Sequence, residues 1–400
     1  MSQRLYKSSI PITTDQDQII NTQINGPYTA FGEFSTSQLS PIVQITFVYN
    51  INNRLMNSVT SGSASITASN SMCLLQSGTT LNSNAQLSTR QAIKYRAGQG
   101  LCARFTAIFN SPVVGTEQYA GLCSAVDQLD GLMFGYNTSG NFGILYKYNN
   151  ISTFIPKTEW NGTAQPLLNP QKGNIYQIQL RYLGSGDILF WMADSETSKF
   201  VLVHTLQYVN RNILPSLSDP TLNMCYNVKN NSVAQNISLY GISCGLFIEG
   251  ISKWNNIVNS QYQAKTIGQN TLTNILTIRN NSTYAGKTNK NIIFPNFATC
   301  TTVANRPATI LIILNATLGG TPSYTNINTN SSCVSYDVSG TTVSGGTLLI
   351  AEQAPANSSV SLHLDDFNCF LVPGETLTIA VTSSATTSDI IGTLTWVEDI

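Results

Sequence analysis

Residues 91 to 148 change character at a period of two. Ala103, Phe105, Ala107 and Phe109 share one face of an extended chain, while Arg104, Thr106 and Ile108 point the other way. That pattern is a half-buried strand. Glycines fall where strands turn or pack closely: Gly98 and Gly100 before the run, Gly121 within it, Gly131 and Gly135 around LMF, and Gly140 and Gly143 around the next strand. The stretch predicts three or four antiparallel strands whose core draws on Phe105, Phe109, Phe134, Tyr136, Phe142 and Tyr146. It contains no recognisable catalytic constellation.

The same period recurs along most of the chain, and no segment predicts a helix longer than a turn or two. Residues 1 to 44 are polar, with Pro11, Pro27 and Pro41, and predict an extended N-terminal arm, either a frayed terminus or a segment ordered along a neighbouring subunit. VQITFVYNI opens a first domain, expected over residues 45 to 262, with Ser-, Thr- and Asn-rich turns up to Ser88. Further strands are read at STFIP, NIYQIQLRYL, DILFWMAD, KFVLVHTLQYV and ISLYGISCGLFIEGI, with GSGD as a hairpin turn and residues 208 to 235 as a long polar connection. Strand spacing and length fit a jelly-roll or concanavalin-like sandwich. Residues 263 to 275 predict a linker or a swapped strand. The remainder of the 263 to 400 domain offers eight strands, from ILTIRN to GTLTWVEDI, separated by GG, SG, PG and Asn/Ser-rich turns. The fold class expected is therefore all-β, two antiparallel sandwiches preceded by an arm.

Only 10% of the 400 residues are charged and the formal net charge is zero. Solubility then rests on Asn, Ser and Thr, a composition of rigid extracellular-type β-proteins, fibres and virion shells. Without a basic run there is no source for counterion-release affinity, so a nucleic-acid partner is not expected. No apolar run reaches the length of a membrane span, and MSQRLYKSSIPITTDQDQII lacks the apolar centre of an export signal, so a soluble protein is expected. The eight cysteines are widely spread, with no CxxC and two histidines in the chain, which argues against zinc and favours buried thiols over a disulfide framework. The Asn-x-Ser/Thr sequons, Asn137 and Asn236 among them, are what so Asn-rich a chain yields by chance.

The ending FLVPGETLTIAVTS…GTLTWVEDI, the preceding RPATILIILNATLGG and GGTLLIAEQ, and the central YRAGQGLCARFTAIF…DGLMFGYN…NFGILYKYN together resemble β-rich virion proteins of large double-stranded DNA viruses and tailed phages. The resemblance covers about two thirds of the chain and rests on strand pattern. It implies a minor capsid, vertex, spike or fibre component of the virion surface, homo-oligomeric as a trimer or pentamer, touching other capsid proteins and often facing the host. No catalytic residues carry over.

Candidate chemistry is sparse. His204 lies in FVLVHTL and His363 beside Asp365 and Asp366, but no GxSxG turn exists to supply a nucleophile, and GKTNK lacks the first glycine of a phosphate loop. Asp15, Asp17, Asp127, Asp130, Asp365 and Asp366 offer calcium oxygens, although solvation of turns and strand ends explains them more simply. Glu159 and Trp160, with Asp127 and Asp130, are the candidate glycan-facing residues, against a blander reading of Trp160 as core. The sequence therefore leads to a non-enzymatic virion component without cofactor or metal, with a lectin-like module that binds a host surface glycan as the alternative.

Overall fold

The computed structural model describes the backbone of residues 9–13 and 19–23, and residues 39–399 apart from 164–165, 251–256, 304–305, 368 and 384–386. It is all-β. Among the described residues the helical elements are two single 3-10 turns, Lys157–Glu159 and Asp365–Phe367. The chain divides into two units, Met1–Ser252 and Lys253–Ile400.

Two sheets make the first unit. One runs, in spatial order, Ile151–Pro156, Phe142–Tyr148, Gly131–Tyr136, Thr116–Cys123, Thr221–Asn230, Asn84–Thr89 and Met56–Ser61, every pair antiparallel. The other runs Phe200–Leu206, Ile188–Ala193, Asn174–Leu180, Leu101–Phe109, Ser238–Glu249, Met72–Gln76 and Ser65–Ser69, with Leu39–Thr46 also paired to Ser238–Glu249. Alternation dictates what lies between the sheets. Phe105 and Phe109 turn inward from one sheet and Phe134 from the other, and all three are buried. Phe105 stacks on Tyr176 with centroids 5.5 Å apart, and Phe134 meets Tyr176 at 4.8 Å and Phe190 at 5.5 Å. Each such ring removed from water contributes about 1.5–3 kcal/mol, which is why this block dominates the unit.

The central strands occur where the alternation predicts them, but four polar stretches fold differently from expectation. Residues 208 to 235 are not one long connection: Thr221–Asn230 is a strand in the middle of the first sheet, with Leu222, Met224, Tyr226 and Val228 in the core. The Ser/Thr/Asn-rich region before Ser88 contributes Met56–Ser61, Ser65–Ser69, Met72–Gln76 and most of Asn84–Thr89. Of the expected arm, most residues lie outside those described. Ser9–Thr13 pairs with Ile19–Gln23, and Leu39–Thr46 is already part of the second sheet. Nor do residues 263 to 275 form a linker, because Ile257–Ile267 is one strand paired along its whole length with Ser388–Glu398.

The second unit is also built on two main sheets, with two short two-stranded ribbons beside them, Thr283–Tyr284 with Lys287–Thr288 and Thr317–Leu318 with Val343–Ser344. Four strands lie in the order Ile257–Ile267, Ser388–Glu398, Ile293–Thr302, Ser359–His363, and six in the order Thr325–Asn326, Val334–Asp337, Thr273–Asn280, Thr376–Thr382, Ala308–Leu314, Thr347–Ala354. Trp396 is fully buried among Ile and Leu residues from both sheets. Buried polar groups are tied down individually. Glu398, also fully buried, accepts from the Ser332 hydroxyl at 2.7 Å, the Cys333 amide at 2.8 Å, the Trp396 indole at 2.9 Å and the Asn259 amide at 2.7 Å. Such a carboxylate is tolerated only because its lone pairs are occupied.

Candidate functional site

The outward face of the first unit's Tyr119-bearing sheet holds a groove of about 600 Å³. Its side chains are set by strand register, since residues directly opposite on neighbouring antiparallel strands share a face. One row reads Ser61, Asn84, Lys229, Glu117. The next reads Val59, Gln86, Asn227, Tyr119, Gly135, Gly143, Pro156, and a third Asn57, Ser88, Cys225, Gly121, Met133, Leu145, Phe154. The groove is thus polar and charged at both ends, with Lys229 and Glu117 at one and Asp130 and Lys147 at the other, and apolar between them at Met133, Leu145 and Phe154.

Two glycines keep the floor low. A methyl on Gly135 would lie 2.7 Å from the Tyr119 ring, and one on Gly143 would lie 2.7 Å from the Phe154 ring, so each ring lies against a bare backbone. Hydrogen bonds fix the amides. Asn227 donates to Asn84 Oδ1 at 2.8 Å, Gln128 donates to Gln86 Oε1 at 3.1 Å, and Gln86 donates to the Ala125 carbonyl at 3.0 Å. The disulfide Cys123–Cys225 crosses between the two central strands beneath the groove, with Cα atoms 6.0 Å apart. The other six cysteines lie outside this disulfide and are buried, in line with the preference for buried thiols.

Charge in the groove is mixed. Burial pulls the half-buried Lys147 ammonium below its ordinary range, while Asp127, Asp130 and Glu117 act in the opposite direction and Lys229 in the same one. Asp130 is buried and accepts from the Ser218 amide at 2.9 Å, the Asp219 amide at 3.2 Å and the Ser218 hydroxyl. Glu117 is half-buried and lines the opposite end. The arrangement offers fixed amide, hydroxyl, ammonium and carboxylate groups beside apolar rings, the set that polyhydroxylated ligands engage.

Of the residues singled out in the sequence, the structure brings one to this groove. Asp130 lines it, with Asp127 on the adjacent turn held by the Ser124 hydroxyl and the Leu129 amide. Trp160 offers no platform: it is buried, with Phe134 at 5.9 Å and Phe142 at 6.3 Å, because the turn after Pro156 folds the indole between the sheets. Glu159 is exposed in that turn and is not among the groove residues. His204 is buried beside Phe190, its Nδ1 facing the Asn161 amide at 3.4 Å, and His363 is exposed, 3.9 Å from Asp365. Among the described residues no three His, Cys, Asp or Glu side chains gather as metal ligands, and Asp15 and Asp17 lie outside those residues. Sequence reasoning missed Asn84, Gln86, Glu117, Asn227 and Lys229. The signal was present in TLNMCYNVKN, where Leu222, Met224, Tyr226 and Val228 recur at a period of two.

A second cavity of about 430 Å³ is lined by Tyr146, Tyr148, Tyr208, Leu206, Ile213 and others. Two of its phenols are engaged, Tyr146 with the Ser216 carbonyl at 2.7 Å and Tyr208 with the Pro215 carbonyl at 3.2 Å.

No family model matches the chain, and no curated protein matches it. Solved structures similar to it include a glycoside hydrolase family protein from Mycobacterium thermorestibile, 11% identical over 52% of this chain and 100% of that one, with a TM-score of 0.39. A non-specific endo-β-1,3(4)-glucanase of family GH16 is 9% identical over 53% of this chain and 92% of that one, with a TM-score of 0.39. The lectin-like defence protein arcelin-5 from Phaseolus vulgaris is 10% identical over 52% of this chain and 99% of that one, with a TM-score of 0.34. These similarities concern the all-β sandwich alone. They correct one expectation: because glycoside hydrolases occur beside lectin-like proteins among these structures, the exclusion of enzymatic activity drawn from the sequence does not stand.

Proposed function

We propose that the first unit binds carbohydrate along the groove over Asn84, Lys229, Glu117 and Tyr119. One observation carries the reading. Amide side chains stand in registered rows across the strands, Asn84 with Asn227 and Gln86 with Gln128 held by hydrogen bonds before any ligand arrives, and Lys229 and Glu117 stand opposite each other in the same rows. Preorganised donors and acceptors beside apolar rings suit a saccharide, whose hydroxyls need both and whose C–H faces lie on rings. The low exposure of Tyr119 limits it to a floor, so affinity comes chiefly from the polar rows.

Binding of an oligosaccharide panel, measured by calorimetry, tests this. Lys229→Ala and Glu117→Ala should each weaken the best ligand roughly tenfold, the cost of about one hydrogen bond to a charged group. Fold and melting temperature should hold, since both side chains are half-buried on the outward face. Chromatography of the incubated ligand separates retention from cleavage. No binding across the panel, or binding indifferent to both substitutions, rejects the groove.

The second reading that we propose is carriage of this binding unit on a viral particle, as a surface component that meets the host. It is favoured by the sparse charge, 20 basic and 20 acidic residues in 400. Immunogold labelling of purified particles tests it, and label confined to soluble fractions rejects it.

A further inference from the structure

The edges of the second unit's sheets are treated unequally. An open edge strand is a template for another strand, and proteins blunt it by shortness, bulges or outward charge. Three of the four edges follow that rule. Thr325–Asn326 has two residues. Ser359–His363 has five and runs into Asp365 and Asp366. Thr347–Ala354 carries the exposed Glu352, and its pairing slips register between Ile312 and Ile313.

Ile257–Ile267 does none of these things. It has 11 residues, no proline, and unbroken register with Ser388–Glu398 from Ile257 to Ile267. Its single charge does not guard it either. The Lys265 ammonium turns inward and donates to the carbonyls of Asn274 at 2.9 Å, Val338 at 3.3 Å and Gly340 at 2.7 Å. Val258 and Tyr262 meanwhile stand 61% and 67% exposed. Among the described residues nothing pairs with the other side of this strand.

We infer that the open edge of Ile257–Ile267 pairs antiparallel with the same strand of a second copy of this chain, joining two four-stranded sheets into one continuous sheet across a two-fold axis. The occupant follows from self-complementarity. Pairing over the full strand centres the axis on Tyr262 and sets Val258 opposite Thr266, Ser260 opposite Ala264, Gln261 opposite Gln263 and Asn259 opposite Lys265 of the second copy. No like charges meet, every exposed backbone group on the edge gains a partner, and an isologous contact closes without growing into a filament. The inference is independent of the groove and differs from the trimeric or pentameric ring that the sequence led us to expect.

Sedimentation of the full chain at micromolar concentration should show twice the mass of one chain. Tyr262→Lys, which sets two ammonium groups against each other on the axis, should halve that mass with an unchanged circular dichroism spectrum. Tyr262→Cys should give a covalent dimer under mild oxidation, because facing Cβ atoms lie about 4.5–5.5 Å apart and the six native free thiols are buried. If the lysine variant fails to fold, the cross-link decides. A monomeric native chain, an oligomer unaffected by Tyr262→Lys, or a cysteine variant that does not cross-link each overturns the pairing.

Discussion

The outward face of one sheet in each unit can be compared, and the two are furnished differently. In the first unit, rows through Asn84, Lys229 and Glu117 and through Gln86, Asn227 and Tyr119 combine amides, both signs of charge and a ring. In the second, the four-stranded face reads Val258, Val397, Phe294 in one row and Tyr262, Thr393, Thr299, Ser361 in another. Both faces belong to antiparallel sandwiches cut from one low-charge composition, so the difference lies in placement. Glu117, Asp130, Lys147 and Lys229 line the first unit's groove, whereas the two rows named on the four-stranded face carry no charge and its exposed Asp389 is bonded to Thr266. Charge is costly to desolvate against a large partner and valuable against a polyhydroxylated one.

The largest test of this contrast targets the second unit. Glu398→Ala removes the acceptor of hydrogen bonds from four residues, Ser332, Cys333, Trp396 and Asn259, without filling its space. Leaving such donors buried and unpaired should cost about 3–5 kcal/mol. Calorimetric unfolding should show the loss, with glycan affinity at the groove unchanged. A change in that affinity would break the separation of the two faces. Next in size is Cys123→Ser with Cys225→Ser, which opens a bridge between residues 102 apart in sequence. It should lower stability by about 2–4 kcal/mol and weaken groove binding as well, because the bridge pins the two strands that carry Glu117 and Lys229. Stability lost with affinity intact would show that the groove does not depend on that pinning.

The alternating apolar strands were legible from the chain alone, from Leu101–Phe109 to the closing Ser388–Glu398. The groove was not, for a physical reason. Its strands present Ser, Asn, Gln and Lys outward, so Met56–Ser61 and Thr221–Asn230 resemble polar connections unless the inward set is read by itself. Pro215 and Pro220 strengthened that impression, although both precede the strand. Trp160, for which core was the preferred reading over a sugar platform, is buried, while Glu159 beside it is exposed. Asp130, one of the candidates, lines the groove, but its hydrogen bonds to Ser218 and Asp219 join residues 88 and 89 positions apart and lie beyond local pattern.

The smallest expected effect is a pH dependence in the first unit. Burial lowers the His204 pKa from its ordinary 6.5. The unfolded chain therefore takes up a proton that the folded chain refuses, and stability present above pH 6.5 falls as the pH drops through that value toward the depressed one. Melting temperature followed from neutral to mildly acidic pH should decline, and His204→Gln should flatten part of that slope. An unchanged slope would assign the decline to other groups.

The pairing of Ile257–Ile267 with Ser388–Glu398 also has a timetable. Ile257 meets Glu398 and Ile267 meets Ser388, so more than a hundred residues must be synthesised between a strand and its neighbour. At about 5–20 residues per second that is on the order of ten seconds. For that interval the earlier strand has left the ribosome with both of its edges open, and the four-stranded sheet cannot close. Neighbouring ribosomes on one message would hold several such strands close together during the same interval.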